Sequence, residues 1–312
     1  MNQSNSQQPL VSIGVPVYNA DEFLSESLDS LLAQTYDNIE IVISDNASTD
    51  QTAEICRLYA EKDKRIRYVR ESQNKGSNWN FSRVFHLSNG KYFKWAACDD
   101  LCDPEFVARC VEVLENDLSV VCCHSRTMTI NEYGNEIKGF PDPTDGGQEK
   151  DNIRHRRDGS SHYFSRRFGD VLLSSGWGVR CSGVFKSEAL GKTGLMQSFY
   201  GSEKLMMAEL AVHGRFWDLP QMLFSQRVHS GSISGATRES KNSAIRKRII
   251  HTPLLRQFSG YLSVAMDSGN DASTKLKCIF WLIVYLFQYK KWWLIAETRL
   301  NNIVSRVSPK IA

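Results

Sequence analysis

Leu10-Val-Ser-Ile-Gly-Val-Pro-Val-Tyr-Asn19 and Glu40-Ile-Val-Ile-Ser-Asp-Asn-Ala-Ser-Thr-Asp50 decide the fold of this 312-residue chain. Each begins as a short run of Val and Ile and breaks off in polar, turn-forming residues. Short apolar runs with that ending read as strands buried on both faces. Between them, from Asp21, the residues Phe23, Leu24, Leu28, Leu31 and Leu32 recur at helical spacing. Ser48-Thr-Asp-Gln51 reads as a capping box and predicts a helix through Tyr59. The alternation continues with a strand over Arg65 to Arg70, a helix over Trp79 to Leu87, and an Asn89-Gly90 turn. A strand over Lys91 to Ala97 follows, then a helix with Pro104 in its first turn running to about Leu114, then a strand over Val120 to Cys123. Repeated strand–helix units predict an α/β fold, Rossmann-like, with a mostly parallel sheet flanked by helices.

Composition agrees with a globular protein. Apolar residues make up 41% and charged residues 23%, which excludes a disordered, collagenous or multi-span membrane chain. A net charge of +3 gives no reason to expect a nucleic-acid partner. Met1 to Pro9 is polar and has no apolar core of a secretory signal, and the eight cysteines follow no disulfide-framework spacing. A cytoplasmic location with reduced thiols is the expectation. Cys98-x-x-x-Cys102 and Cys122-Cys-His124 lack the paired spacing of a zinc site.

The strand–helix rhythm stops from about Asn131 to Gly169, where Pro141, Pro143, Gly146, Gly147 and Gly159 sit among many charges. This predicts a long loop or lid. Its arginine-rich stretch Arg154 to Arg167 reads as a solvated lid, with contact to an acceptor phosphate as the alternative. Compact patterning resumes from Phe168 to Ser234, and from about Thr237 the chain reads as helical and basic. Cys278-Ile-Phe-Trp-Leu-Ile-Val-Tyr-Leu-Phe287 is too short to span a bilayer. Lys275, Lys277, Lys290, Lys291, Trp292 and Trp293 flank it, which suits either a helix lying in a membrane interface or one closing the core.

In open parallel sheets ligands bind beyond the carboxyl ends of the strands. Pro16-Val-Tyr-Asn19, Asp45-Asn-Ala-Ser48 and Cys98-Asp-Asp100 therefore converge on one rim. An acidic rim that must hold an anion calls for a hard divalent cation, Mg²⁺ or Mn²⁺. Nucleotide fingerprints fail: Gly191-Lys-Thr193 has Lys186 where a P-loop needs its first Gly, and Gly176-Trp-Gly178 has Cys181 at the closing position of GxGxxG.

Val11 to Asn19, Ile41 to Asp50 and Lys91 to Pro104, in this order and spacing, resemble the sequence blocks of family 2 glycosyltransferases, inverting enzymes of the GT-A fold. A looser similarity reaches Ser234 through Tyr200-Gly-Ser-Glu-Lys204 and Arg227-Val-His229. The resemblance implies a GT-A domain over 1–236, with a donor-binding half at about 10–125 and an acceptor half at about 168–236. A helical basic region over 237–312 would follow, lying at a membrane interface or closing the core. It implies transfer of a sugar from a nucleoside diphosphate sugar to a glycan or polyprenyl-linked acceptor, in surface polysaccharide assembly at the inner face of the cell membrane. A non-catalytic sugar-nucleotide binder is the alternative. So is a nucleotidyltransferase of similar fold, although Pro16 to Asn19 lacks that class's glycine-rich basic loop.

Residue roles carry over by position. Pro16, Tyr18 and Asn19 would line the nucleotide pocket, and Asp45 and Asn46 would read the base. The family's Asp-x-Asp frame reads Ala97-Cys-Asp99 here, so its first acid is missing and Asp99 is left as the metal ligand. Asp100 would orient Asp99, support the donor or cap the next helix. His229 would be a second metal ligand and Arg227 a phosphate partner. Glu203 would be the base that deprotonates the acceptor hydroxyl, held ionised by a helix N-terminus, with Glu209 as its rival.

Overall fold

The computed structural model describes residues 8–138, 159–174, 177–199, 201–230, 253–267, 269 and 271–287. Its centre is strand β1 (Val11–Val17), flanked in parallel by β2 (Ile39–Asp45) and β4 (Tyr92–Trp95), with β3 (Ile66–Arg70) parallel on the outer side of β2. All seven residues of β1 are buried, as expected for an apolar run covered on both faces. On one face Val11, Ile13, Val15 and Val17 pack with Leu24, Leu28 and Leu31 of α1 (Leu24–Leu32). Cys56 of α2 (Thr52–Lys62) and Phe106, Val107, Cys110 and Leu114 of α4 (Phe106–Asn116) join them. The other face takes Val84 of α3 (Ser77–His86). There Gly14 is required: a Cβ would stand 2.8 Å from both Phe93 and Val84.

The second half of the sheet departs from the parallel pattern. The two-residue β5 (Leu101–Cys102), β6 (Val120–Ile130), β7 (Val184–Lys186) and β8 (Arg215–Arg227) complete the order β3-β2-β1-β4-β7-β6-β8-β5. The strand predicted over Val120 to Cys123 does not pair with β4. Short β7 inserts antiparallel to both β4 and β6, while β6 runs parallel to β8 and β5 antiparallel to it.

Two helix starts differ from their predicted caps. Asp50 Oδ1, not Ser48, accepts from the Thr52 amide at 3.0 Å. The Ser48 hydroxyl instead accepts from the Asn19 amide, tying the β2 loop to the β1 loop. At α4 the cap is Asp103 Oδ1 on the Glu105 amide, so Asp100 is not a helix cap.

The predicted loop ends earlier than Gly169. Phe164, Phe168, Val171 and Leu172 fall on one helical face, and α5 (Phe164–Leu173) buries them. Residues 139–158, including Arg154, lie outside the described residues. Arg167 is buried and donates to the Ala211, Ser161 and His162 carbonyls. It is a packing residue, not part of a solvated or phosphate-binding lid. The short α6 (Trp177–Arg180) and α7 (Ser187–Leu190) lead to α8 (Ser202–His213).

Two further helices, α9 (Pro253–Asp267) and α10 (Ala272–Leu286), close this face. Tyr261 of α9 and Cys278, Leu282 and Tyr285 of α10 join the core around Phe168 and Met206. The Trp281 ring lies so close to Gly169 that a Cβ there would meet it at 2.6 Å. No helix among the described residues is long and apolar enough to cross a membrane. All eight cysteines are free, seven buried and Cys98 half-buried.

Candidate functional site

A cavity of about 300 Å³ opens where β1, β2, β3 and β4 end. It is lined by Pro16, Tyr18, Asn46, Asn80, Phe81 and Asp99, together with Val17, Asn74, Ser77, Ala97 and Cys98. Its position follows from the sheet: four parallel strands leave their carboxyl-terminal loops on one rim. Tyr18 keeps 46% of its surface exposed and presents a ring at the cavity mouth. Asn46 is held from three sides, donating to Asn74 Oδ1 and the Gly76 carbonyl and accepting from the Lys75 amide.

Sequence reading missed the contribution of the loop after β3. Asn74, Ser77, Asn80 and Phe81 come from that loop and the first turn of α3. The available signal was Asn74-Lys-Gly76 just beyond a predicted strand; Gly76 takes φ +93°, a conformation suited to glycine. Asn80 is buried. Its Nδ2 donates to the Val17 and Ser44 carbonyls and its Oδ1 accepts from the Ser44 hydroxyl, which fixes α3 to the ends of β1 and β2.

Several predicted ligand contacts serve the loops instead. Asp45 is fully buried, accepts from the Ser48 amide and the Tyr68 hydroxyl, and pairs with Arg70 at 3.2 Å. Its carboxylate faces the β2 turn, where Ala47 adopts φ +64°, and it does not line the cavity. Asn19 Oδ1 accepts from the Thr49 amide, so Asn19 also ties loops together. Asp100 Oδ1 accepts from the Arg227 amide at 2.9 Å. Burial, and then the charge of Asp99, push the Asp100 carboxyl up to about 7.

Arg227 is the clearest departure. Its guanidinium is buried and donates to the carbonyls of Asp99, Asn131 and Glu132 and to Glu26 Oε2. It lies 4.8 Å over the Phe23 ring. With its fork engaged in this way, Arg227 clamps the Asp99 loop and is not turned to a phosphate in the cavity.

That clamp sets Asp99 against His229. His229 Nε2 stands 3.1 Å from Asp99 Oδ2, both side chains are mostly covered, and the imidazole packs at 4.7 Å on Phe23. Among the described residues no group of three or more His, Cys, Asp or Glu side chains is placed to hold a metal. A carboxylate oxygen and an imidazole nitrogen about 3 Å apart nevertheless match neighbouring positions around an octahedral ion with bonds of ~2.1 Å. Mg²⁺ and Mn²⁺ are characteristically held by one or two protein groups plus phosphate and water, and an imidazole suits Mn²⁺ better. The donor set fits.

Glu203 stands in the first turn of α8 but does not line the cavity. The preceding Ser202 accepts from Asn78 Nδ2 at 3.1 Å, which joins the start of α8 to the first turn of α3 beside the cavity. Burial pushes the Glu203 carboxyl up, and its backbone hydrogen bond and Lys204 only partly oppose this. Glu209 Oε2 accepts from the Gly194 amide at 2.6 Å and lines a separate cavity with Lys192, His213 and Arg256. Its role is to hold the Gly194 loop.

Known proteins align with both sequence and fold. The Glycosyl transferase family 2 model matches residues 12–169, half of the chain. Chondroitin synthase of Escherichia coli is 32% identical over 129 residues, covering 41% of this chain and 19% of its own length. An uncharacterised glycosyltransferase of Rickettsia typhi is 36% identical over 124 residues, 38% of each chain. The chain therefore spans less than half the length of these curated relatives. Among solved structures, S. aureus TarS 1–349 in complex with UDP-GlcNAc superimposes with a TM-score of 0.62 at 14% identity, covering 89% of this chain and 73% of that one. The mannosyltransferase PcManGT of Pyrobaculum calidifontis, in complex with GDP-Man and Mn²⁺, gives 0.61 at 16% identity over 98% and 77%. From the family match the chain belongs to glycosyl transferase family 2, and its architecture is that of the GT-A fold.

Proposed function

We propose that the protein is a metal-dependent inverting glycosyltransferase. It would take a sugar from a nucleoside diphosphate donor and pass it to a glycan or polyprenyl-linked acceptor during surface polysaccharide assembly at the inner face of the cell membrane. The observation that carries this reading is the Asp99–His229 pair, at the rim of a cavity that also presents Tyr18 and Asn46. The neighbours solved with UDP-GlcNAc and with GDP-Man and Mn²⁺ support a donor of this class.

In this reading Tyr18 stacks on the base and Asn46 and Asn80 shape the pocket floor. Asp99 and His229 hold Mg²⁺ or Mn²⁺. When bound, such an ion neutralises charge on a leaving diphosphate. Arg227 and Asp100 keep Asp99 in place from below. Glu203 takes the proton of the acceptor hydroxyl as that oxygen attacks the anomeric carbon from the face opposite the diphosphate. A buried carboxylate with a raised pKa is the better base near neutral pH, because proton affinity then approaches that of the group it must deprotonate.

Isothermal titration of the purified protein with UDP, GDP and their sugar conjugates, with and without Mn²⁺, followed by donor hydrolysis, tests the reading. Metal-enhanced binding with slow hydrolysis is expected. Binding indifferent to Mn²⁺ would overturn the metal assignment.

A further inference from the structure

Helix α10 is apolar on two sides. Cys278, Leu282 and Tyr285 enter the core. On the outward side Leu276, Phe280, Ile283 and Phe287 recur at the i, i+4, i+7, i+11 spacing of one helical face, between 47% and 78% exposed. Leu262 and Met266, one turn apart on the adjoining α9, are 41% and 49% exposed. An apolar stripe left in water on a helix already anchored by its opposite side marks a contact surface.

Charge identifies the occupant. Helix α10 contains no Asp or Glu, and Lys275 and Lys277 flank its first turn. Residues 237–312 hold 13 Lys and Arg against 4 Asp and Glu, although the whole chain carries only +3. Positive charge is therefore concentrated in this part of the sequence, where Arg256, Lys275 and Lys277 are the cations among the described residues, and the rest of the chain is net negative. A protein partner or second copy would have to match both features. An anionic bilayer interface supplies both at once: phosphate headgroups for the lysines and acyl chains for Phe280 and Ile283. Fifteen residues cannot span a bilayer, so the helix lies along the interface.

We infer that the outward face of α10, with Leu262 and Met266 of α9, seats this glycosyltransferase on an anionic lipid surface. On this inference the core-closing side of the helix, seen in Cys278, Leu282 and Tyr285, and an interfacial side coexist on one helix. The inference deepens the proposed transfer to a lipid-linked acceptor, yet it uses no residue of the donor site.

Co-sedimentation of the full chain with vesicles tests it. The protein is expected to pellet with phosphatidylcholine–phosphatidylglycerol vesicles at low salt, less so at high salt, and not with phosphatidylcholine alone. Phe280→Glu with Ile283→Glu should abolish pelleting while leaving the melting temperature unchanged, because both side chains point outward. Lys275→Gln with Lys277→Gln, which leaves the apolar stripe intact, should weaken binding roughly 30-fold, the factor that about 1 kcal/mol per cationic side chain gives for two of them. Failure of the parent chain to pellet with anionic vesicles overturns the inference. So does equal pelleting of the Phe280→Glu/Ile283→Glu variant, or a dimer in solution that this variant dissociates. None of these readouts depends on sugar transfer, so failure of the donor-site reading would leave them unaffected.

Discussion

Replacing Arg227 separates a phosphate contact from a clamp. Arg227→Ala removes hydrogen bonds to three backbone carbonyls, those of Asp99, Asn131 and Glu132, and the ion pair with Glu26. Glu26 is 54% exposed, so water replaces most of that pairing and its share is small. Each charged hydrogen bond is worth about 1.5–3 kcal/mol, and carbonyls near the surface recover part of that from water. Taking ~1 kcal/mol net for each of three bonds gives ~3 kcal/mol. At roughly 2–4 °C per kcal/mol, the melting temperature should fall by about 6–12 °C. Arg227→Lys keeps the charge but not the fork and should recover only part of the loss. Differential scanning fluorimetry with and without UDP reads both quantities. A variant that melts with the parent but has lost nucleotide affinity would refute the clamp and restore phosphate pairing.

Three other substitutions are informative. Asp99→Asn should leave stability within about 1 kcal/mol and remove the Mn²⁺-dependent part of donor affinity; retention of that part would clear Asp99 of metal binding. Glu203→Gln should lower transfer by about 10²–10⁴-fold with donor binding unchanged. Because burial raises the Glu203 pKa, parent activity should fall on the acid side at a pH above the ordinary glutamate value of 4.5, as the carboxylate takes up its proton. The stability sign runs the other way: ionising Glu203 disfavours the folded state, a cost absent below the unfolded pKa and complete above the folded one. Glu203→Gln should therefore melt no lower than the parent at neutral pH, and a marked drop there would argue for a structural carboxylate. Asn80→Ala breaks three buried hydrogen bonds and should cost about 2–4 kcal/mol in denaturant titration; a neutral outcome would show that α3 does not depend on this tie.

The amino-acid order alone determined the strands of the donor half and the rim they share. Apolar runs such as Val11 to Val17 can only be buried on both faces, and the polar residues after them must then emerge together. It also placed Tyr18, Asn46 and Asp99 on that rim, since residues directly following a strand are positioned by the strand. Tertiary structure decided which polar side chains face the cavity and which face protein. Arg227, Asp45 and Asn19 have the chemistry of ligand contacts, yet each is taken up by protein groups far away in sequence: the carbonyls of Asp99 and Asn131 around Arg227, the Tyr68 hydroxyl and Arg70 at Asp45, and the Thr49 amide at Asn19. No local pattern encodes such partners, because they lie many residues away. The same holds for Glu203, whose helix start was legible but whose pKa is governed by burial near Cys181 and Tyr261, brought there by other elements. The two-sided nature of α10 was also tertiary: a helix with apolar residues on more than one side does not say which side meets the core until Gly169 and Phe168 have taken one of them.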